Sequence, residues 1–192
     1  ILGVAEGLMV ARGDLGVEMT PERVPMIQKR IIELCNRKGK SVITATQMLE
    51  SMIHEPRPTR AEASDVANAI IDGTDAIMLS GETAMGEFPV KAVEMMVRIA
   101  LDVESKIEFK TYPPLGRDAI MALSEAAIQM EKVIRPACMV VLTTTGRSAQ
   151  FIAAERPQAL VFAFTTDINV YHALNLLWGV RPILINEHPG TF

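Results

Sequence analysis

The amino-acid sequence predicts an α/β chain in two parts, each made of parallel strands and the helices that cover them. Three observations carry this. Strand-like and helix-like stretches alternate with short connections, which favours parallel strands joined by right-handed crossovers. The three strand-like runs of the first part each end in polar, chemically capable residues, beginning with Arg12-Gly13-Asp14. Tyr112-Pro113-Pro114-Leu115-Gly116 then breaks the alternation and reads as a linker. The expected division is 1–111, a linker at 112–116, and a second α/β domain over 117–192.

Taken in order, Gly7 to Ala11 is a short apolar run with strand character. Thr20-Pro21-Glu22 starts a helix, with Thr as N-cap, Pro at the first helical position and an acid in the first turn. Val24, Ile27, Ile31, Leu34 and Cys35 keep one helical face, and Gly39 ends it. Ser41 to Thr46 is the second strand. After the proline-studded loop His54–Pro58, Thr59 and Glu62 form a capping box. The helix behind it turns Ala63, Val66, Ala67, Ile70 and Ile71 inward and stops at Gly73. Asp75 to Ser80 is the third strand. Pro89 opens a long helix to about Ile107, with Val90, Val93, Val97, Ala100 and Leu101 on one stripe.

In the second part a helix runs from about Asp118 to Ile134, followed by a strand over Ala137–Leu142. The turn Thr143 to Ser148 leads into a short helix. A strand over Ala159–Phe164, a helix over Asn169–Trp178 and a strand over Pro182–Ile185 complete part of an open, doubly wound arrangement.

Composition narrows the classes. With 49% apolar and 22% charged residues the chain is globular, and a chain of this size buries roughly 70% of its unfolded surface. The net charge of -4 and the absence of a Lys/Arg-rich run speak against nucleic-acid binding. No apolar run approaches the ~18 residues of a membrane span. Cys35 and Cys138, far apart and in apolar surroundings, are expected to be buried thiols of a cytoplasmic protein. The chain opens at Ile1 without an initiator Met and closes just after a strand-like run, so both ends look cut. Met48, Met52, Met95 and Met96 read as core filler, and Trp178 as a packed helix residue. His54, His172 and His188 share no metal-ligand spacing.

The polar strand ends carry the chemistry. Asp14 follows the first strand, Thr46 and Gln47 the second, Ser80 and Glu82 the third, at spacings of 32 and 34 residues. If the strands are parallel neighbours, these groups meet at one rim, the position of the working site in (β/α)8 barrels. An Asp carboxylate is a hard-oxygen ligand suited to Mg²⁺. The Gly13 and Asp14 amides can receive an anion, and the Thr46 hydroxyl both donates and accepts. A lone Asp after a strand is more often a cap or turn residue. Three successive strands delivering Asp, Thr and Ser/Glu to one edge are harder to read that way.

The stretches MVARGDLGVE, VITATQMLESM, PRPTRAEASDVANAIIDGTDAIMLSGETA and FPVKAV closely resemble pyruvate kinase over residues 1 to about 107. TTTGRSAQ and WGVRPIL look like the start of that family's C-terminal domain. The resemblance implies a partial (β/α)8 TIM barrel, its last three βα units, followed by an incomplete open α/β domain. It implies phosphoryl transfer from phosphoenolpyruvate to ADP, giving pyruvate and ATP in glycolysis. The implied cofactors are Mg²⁺ (or Mn²⁺), with K⁺ in the full-length enzyme on ligands outside this chain. Asp14 matches the family's metal ligand. The Gly13 and Asp14 amides match those that hold the substrate carboxylate. Thr46 matches the threonine tied to enolate protonation, and Ser80 and Glu82 the polar groups behind it. Thr143, Thr145, Gly146, Arg147 and Ser148 resemble a loop that cradles an effector phosphate, although such a turn is more often only a cap, and Thr144 stands where some regulated members carry lysine. Arg60 is a candidate for a subunit interface in what the resemblance makes a homotetramer when full length.

The family's lysine on the transferring phosphoryl group and its second metal-binding glutamate lie upstream of the strand that opens this chain. The chain by itself is therefore expected to be inactive. Two other readings stay open at this level: a truncated copy that only oligomerises, and another Mg²⁺-dependent barrel enzyme acting on an enolate. An adhesion role for Arg12-Gly13-Asp14 is disfavoured by its place directly after a buried strand.

Overall fold

The computed structural model describes residues 1–110, 112 and 119–187; the linker expected at Pro113–Gly116 and His188 lie outside the described residues. The chain divides into two compact units, one of Ile1–Leu34 with Val42–Lys110, the other of Cys35–Ser41 with the described residues beyond Lys110.

In the first unit, β1 (Gly7–Ala11) runs directly into α1 (Arg12–Glu18). A 3-10 turn at Pro21–Arg23 leads to α2 (Val24–Arg37), and β2 (Ser41–Ala45) follows. A second 3-10 turn, Glu50–Ile53, precedes α3 (Arg60–Ile71), β3 (Ala76–Met78), α4 (Gly81–Ala84) and α5 (Pro89–Glu104). The sheet order is β1-β2-β3, and β2 pairs with β3 in parallel with Ile43 opposite Ala76. Sequential strands with an intervening helix each time are the repeat of a barrel wall.

The core of this unit joins Met48, Leu49 and Met52 to Val66, Ala69 and Ile70 of α3 and Ala92 and Met96 of α5. The methionines are core residues, as expected. The α5 stripe is mostly not, although Ala100 packs against this core. Val93 and Val97 are 47% and 49% exposed, and Val90 and Leu101 more so, while Ala92 and Met96 are buried. The helix has two apolar faces. One packs on α3. The other, with Ile77, Met78 and Leu79 at the free side of β3, lines an open apolar cleft of about 470 Å³. Periodicity finds both faces but cannot say which one a neighbour covers. Thr20 precedes the Pro21 turn without a side-chain cap bond to it, and α1 intervenes where no helix was expected.

In the second unit, α6 (Ala119–Ile134), β4 (Cys138–Leu142), α7 (Arg147–Ala154), β5 (Leu160–Thr165), α8 (Ile168–Leu174) and β6 (Val180–Leu184) follow in turn. All three strands are parallel and in sequential order. That order with right-handed crossovers puts the helices on one face. Ile128, Ala149, Ile152 and Leu174 accordingly share a single core with Val141, Val161 and Ala163. Only one half of a doubly wound arrangement is present among the described residues. Val140, Leu142 and Leu160 project from the other face and are exposed. Cys138 heads the same outward row and is exposed too, which corrects its reading as a buried thiol; Cys35 is buried. Trp178 lies beyond the end of α8, its ring under the Arg156 guanidinium at 5.5 Å, not within the helix.

One ionisable group of this unit makes a pH prediction. Burial pushes the Glu155 carboxyl up from its ordinary 4.5, the nearby Glu125 charge adds to the rise, and Lys132 opposes it. Between the ordinary and the raised value the folded chain holds the extra proton, so stability falls as pH rises through that window. Glu155→Gln should therefore melt at a higher Tm than the parent at pH 7. The gap should close as pH falls below 4.5. A Tm difference that does not change between pH 7 and pH 4 would contradict this.

Candidate active site

The ends of β1, β2 and β3 meet at one rim. Thr46 and Gln47, directly after β2, both adopt left-handed backbone, with φ of 67° and 52°. For a β-branched residue such as Thr this is an outlier that costs of order 1–3 kcal/mol and persists only where surroundings over-determine it. Here they do. The Gly13 amide donates to Thr46 Oγ1 at 2.9 Å. The Arg12 guanidinium donates to the Thr46 carbonyl through Nε at 3.1 Å and Nη2 at 2.7 Å. Its Nη2 also donates to the Gln47 carbonyl at 2.9 Å, and Nη1 pairs with Asp65 of α3.

From the other side, Glu82 in α4 is 2% exposed and spends both carboxylate oxygens on backbone amides. Oε1 accepts from Leu49 N at 3.0 Å and Oε2 from Ser80 N at 2.8 Å. The rest of the β2–α3 loop is tied by Glu62, which accepts from the amide and hydroxyl of both Ser51 and Thr59. Burial works to raise the Glu62 pKa, but these hydrogen bonds outweigh it and hold the carboxyl below its ordinary value. The capping box expected at Thr59 and Glu62 is present in full.

The expected site residues thus fall into three kinds of place. Gly13 and Thr46 touch. Ser80 and Glu82 are joined to each other and, through Leu49, to the loop that carries Thr46. Asp14, in the first turn of α1, is exposed, and no hydrogen bond or ion pair engages its carboxylate among the described residues. A free hard-oxygen donor on the rim fits Mg²⁺ or Mn²⁺ as one ligand of several. No cluster of three or more potential metal-binding side chains occurs among the described residues. Arg12 was not legible as part of the site. It is 8% exposed and lies in a helix, so Arg12-Gly13-Asp14 is no accessible adhesion tripeptide.

In the second unit, Thr143 Oγ1 accepts from Gly146 N at 2.9 Å, closing the turn in front of α7. Gly146 has φ +80°, where any other residue would be strained, and a Cβ there would press on the Val170 and Leu174 side chains at 3.3 and 3.4 Å. Thr143 is buried, Thr144, Thr145 and Arg147 are exposed, and the Arg147 guanidinium sits 5.6 Å from the Phe151 ring centre. The Thr143 hydroxyl closes the turn on Gly146, no side chain caps α7 itself, and the hydroxyl-bearing Thr144 and Thr145 stay at the surface.

Together the parallel βα repeat and the polar rim at its strand ends make a segment of barrel wall followed by an open α/β unit. Residues 1–93 match the family model "Pyruvate kinase, barrel domain", and residues 121–191 match "Pyruvate kinase, alpha/beta domain". Pyruvate kinase 2 of Synechocystis sp. is 48% identical over 192 residues, which cover 100% of this chain and 32% of that protein. Pyruvate kinase of Sporosarcina psychrophila is 51% identical over 96% of the chain, and pyruvate kinase PKLR of Homo sapiens 49% over 98%. The chain belongs to the pyruvate kinase family. It spans about a third of the length of these relatives, between 32% and 34%. No helix among the described residues is long and apolar enough to cross a membrane.

Proposed function

We propose that this chain forms the enolate-handling part of a site that moves a phosphoryl group from phosphoenolpyruvate to ADP, giving pyruvate and ATP. The observation that supports it best is the junction of two strand ends, where the Gly13 amide meets the Thr46 hydroxyl beside the free carboxylate of Asp14. In this reading Asp14 is one ligand of Mg²⁺ or Mn²⁺, and the bound cation neutralises charge on the substrate oxygens. The Gly13 and Asp14 amides hold the substrate carboxylate. That carboxylate competes with Thr46 Oγ1 for the Gly13 N–H and so frees the hydroxyl. Thr46 then gives its proton to the enolate carbon left by phosphoryl departure and regains one through neighbouring polar groups or water. Ser80 stands behind it, and Glu82 fixes the loop. K⁺, the nucleotide contacts and the remaining phosphoryl-binding cations belong to the rest of a longer polypeptide, which acts in the cytoplasm as a homotetramer. The turn Thr143–Ser148 would receive an effector phosphate.

The test is Mg²⁺- and phosphoenolpyruvate-dependent conversion of ADP to ATP. The full-length protein should be active and the 192-residue chain alone inactive. Mixing the chain with the preceding barrel segment should restore turnover if the site assembles across the break. A silent full-length protein would overturn the proposed reaction, and an active isolated chain would overturn the division of labour.

A further inference from the structure

From the geometry of the β1–β2 rim we infer that Arg12 is a positioning residue for the Thr46 hydroxyl, acting by holding two consecutive left-handed residues in place. The inference rests on the proposed role of Thr46.

Two successive non-glycine residues with positive φ are unfavourable, and Thr46 is β-branched. Relaxing either to extended backbone would swing the Thr46 side chain away from Gly13. The backbone carbonyls of these two residues are the groups Arg12 binds, three N–H···O bonds to two oxygens. The planar guanidinium suits this: its donors are fixed in a fork, so ordering the loop costs little further side-chain entropy. Asp65 completes the arrangement by pairing with Nη1, which aims the fork. Asp65 is 40% exposed at its side chain while Arg12 is 8% exposed, so the charge is neutralised from the solvent side of the pair. Arg12 stands immediately before Gly13, whose amide holds the hydroxyl itself. Before substrate binds, one short segment thus fixes Thr46 twice, by its carbonyl and by its Oγ1; once the substrate carboxylate takes the Gly13 N–H, Arg12's hold on the two carbonyls is what remains. A lysine ammonium could reach one carbonyl but not reproduce the fork.

Thr46 is needed for proton delivery to the enolate and not for holding phosphoenolpyruvate tightly, so loss of Arg12 should appear in kcat more than in KM. A misplacement on the ångström scale costs roughly 10–100-fold in rate. Arg12→Met in the full-length protein should therefore lower kcat by about 10–100-fold, with the KM for phosphoenolpyruvate changed less than about threefold. Arg12→Lys should fall between Met and the parent.

The decisive variant is Gln47→Gly, because glycine adopts positive φ without steric penalty. Placed on top of Arg12→Met, or on Arg12→Lys if the Met variant fails to fold, it should recover several-fold in kcat. An arginine needed only for stability or net charge would gain nothing from that glycine. Exchange of the pyruvate methyl protons with D2O, followed by NMR, isolates the proton step and should fall with kcat. In a Thr46→Val background the Arg12 substitution should cause no further loss. If Thr46→Val keeps full exchange, the proposed role of Thr46 is wrong. If Thr46→Val is impaired while Arg12→Met and Arg12→Lys keep the parent's kcat, or lose it without rescue by Gln47→Gly, the positioning role is overturned.

Discussion

Asp14→Asn in the full-length protein should raise the Mg²⁺ concentration needed for half-maximal activity and cut turnover by about 10²–10³-fold, the scale of losing one fixed charge at a reacting centre. The substitution is a clean probe because of where the residue sits. Its carboxylate is exposed at the first turn of α1, and no hydrogen bond or ion pair engages it among the described residues. Removing its charge therefore breaks nothing in the fold beyond a helix-dipole interaction of roughly 0.3–1 kcal/mol. Asn keeps the shape and one oxygen, but a neutral amide is a poor ligand for a hard dication. A metal titration of activity, with Tm measured alongside, checks it. An unchanged Mg²⁺ requirement would remove Asp14 from the metal site, and a large fall in Tm would show that the residue is structural.

The elements with simple local signals were legible in the sequence. The Thr59–Glu62 capping box, Gly39 at the end of α2 and the strand expected over Ala159–Phe164 each rest on residues within a few positions of one another. Legibility failed where a distant partner decides. The apolar stripe Val90, Val93, Val97, Ala100 and Leu101 is legible as a stripe, but periodicity registers amphipathicity, not occupancy: Ala100 packs against the core, the four larger residues stay exposed, and α5 buries Ala92 and Met96 of the neighbouring face. Cys138 fails for the same reason on a strand that presents apolar residues to both sides. At the rim, the residue types after each strand could be listed in order, but Thr46 and Gln47 in left-handed backbone run against local preference. That conformation follows from Arg12, more than thirty positions upstream, and nothing in an Arg between an apolar strand and a Gly-Asp pair announces that it will be buried. Places where local preference and the observed backbone disagree are where function is expected to reside.

Glu82→Gln should destabilise the chain by about 2–4 kcal/mol, a loss that separates two roles for this acid. The carboxylate is buried and offers one oxygen to each of two backbone amides, Leu49 N at 3.0 Å and Ser80 N at 2.8 Å. Glutamine has the same shape but replaces one of those oxygens with an NH2 group. Whichever way the amide turns, a donor faces a donor, and one buried backbone N–H loses its partner at a cost of about 1–3 kcal/mol. The surviving bond also loses its charge assistance, which accounts for the remainder. Denaturant unfolding should register the loss as a lower midpoint with an unchanged slope. Amide exchange should quicken at Leu49 or Ser80 before it does elsewhere in the sheet. Activity then decides the role. If Glu82 only holds the loop after β2 against the end of β3, the full-length variant should lose kcat while keeping the shape of its pH–rate profile, because no titrating group has been removed from the proton path. If Glu82 itself passes the proton to Thr46, the profile should lose a limb, since Gln cannot ionise. The geometry favours the first outcome: both carboxylate oxygens are already engaged by backbone N–H groups, those of Leu49 and Ser80, so the side chain is committed to holding the loop against the end of β3.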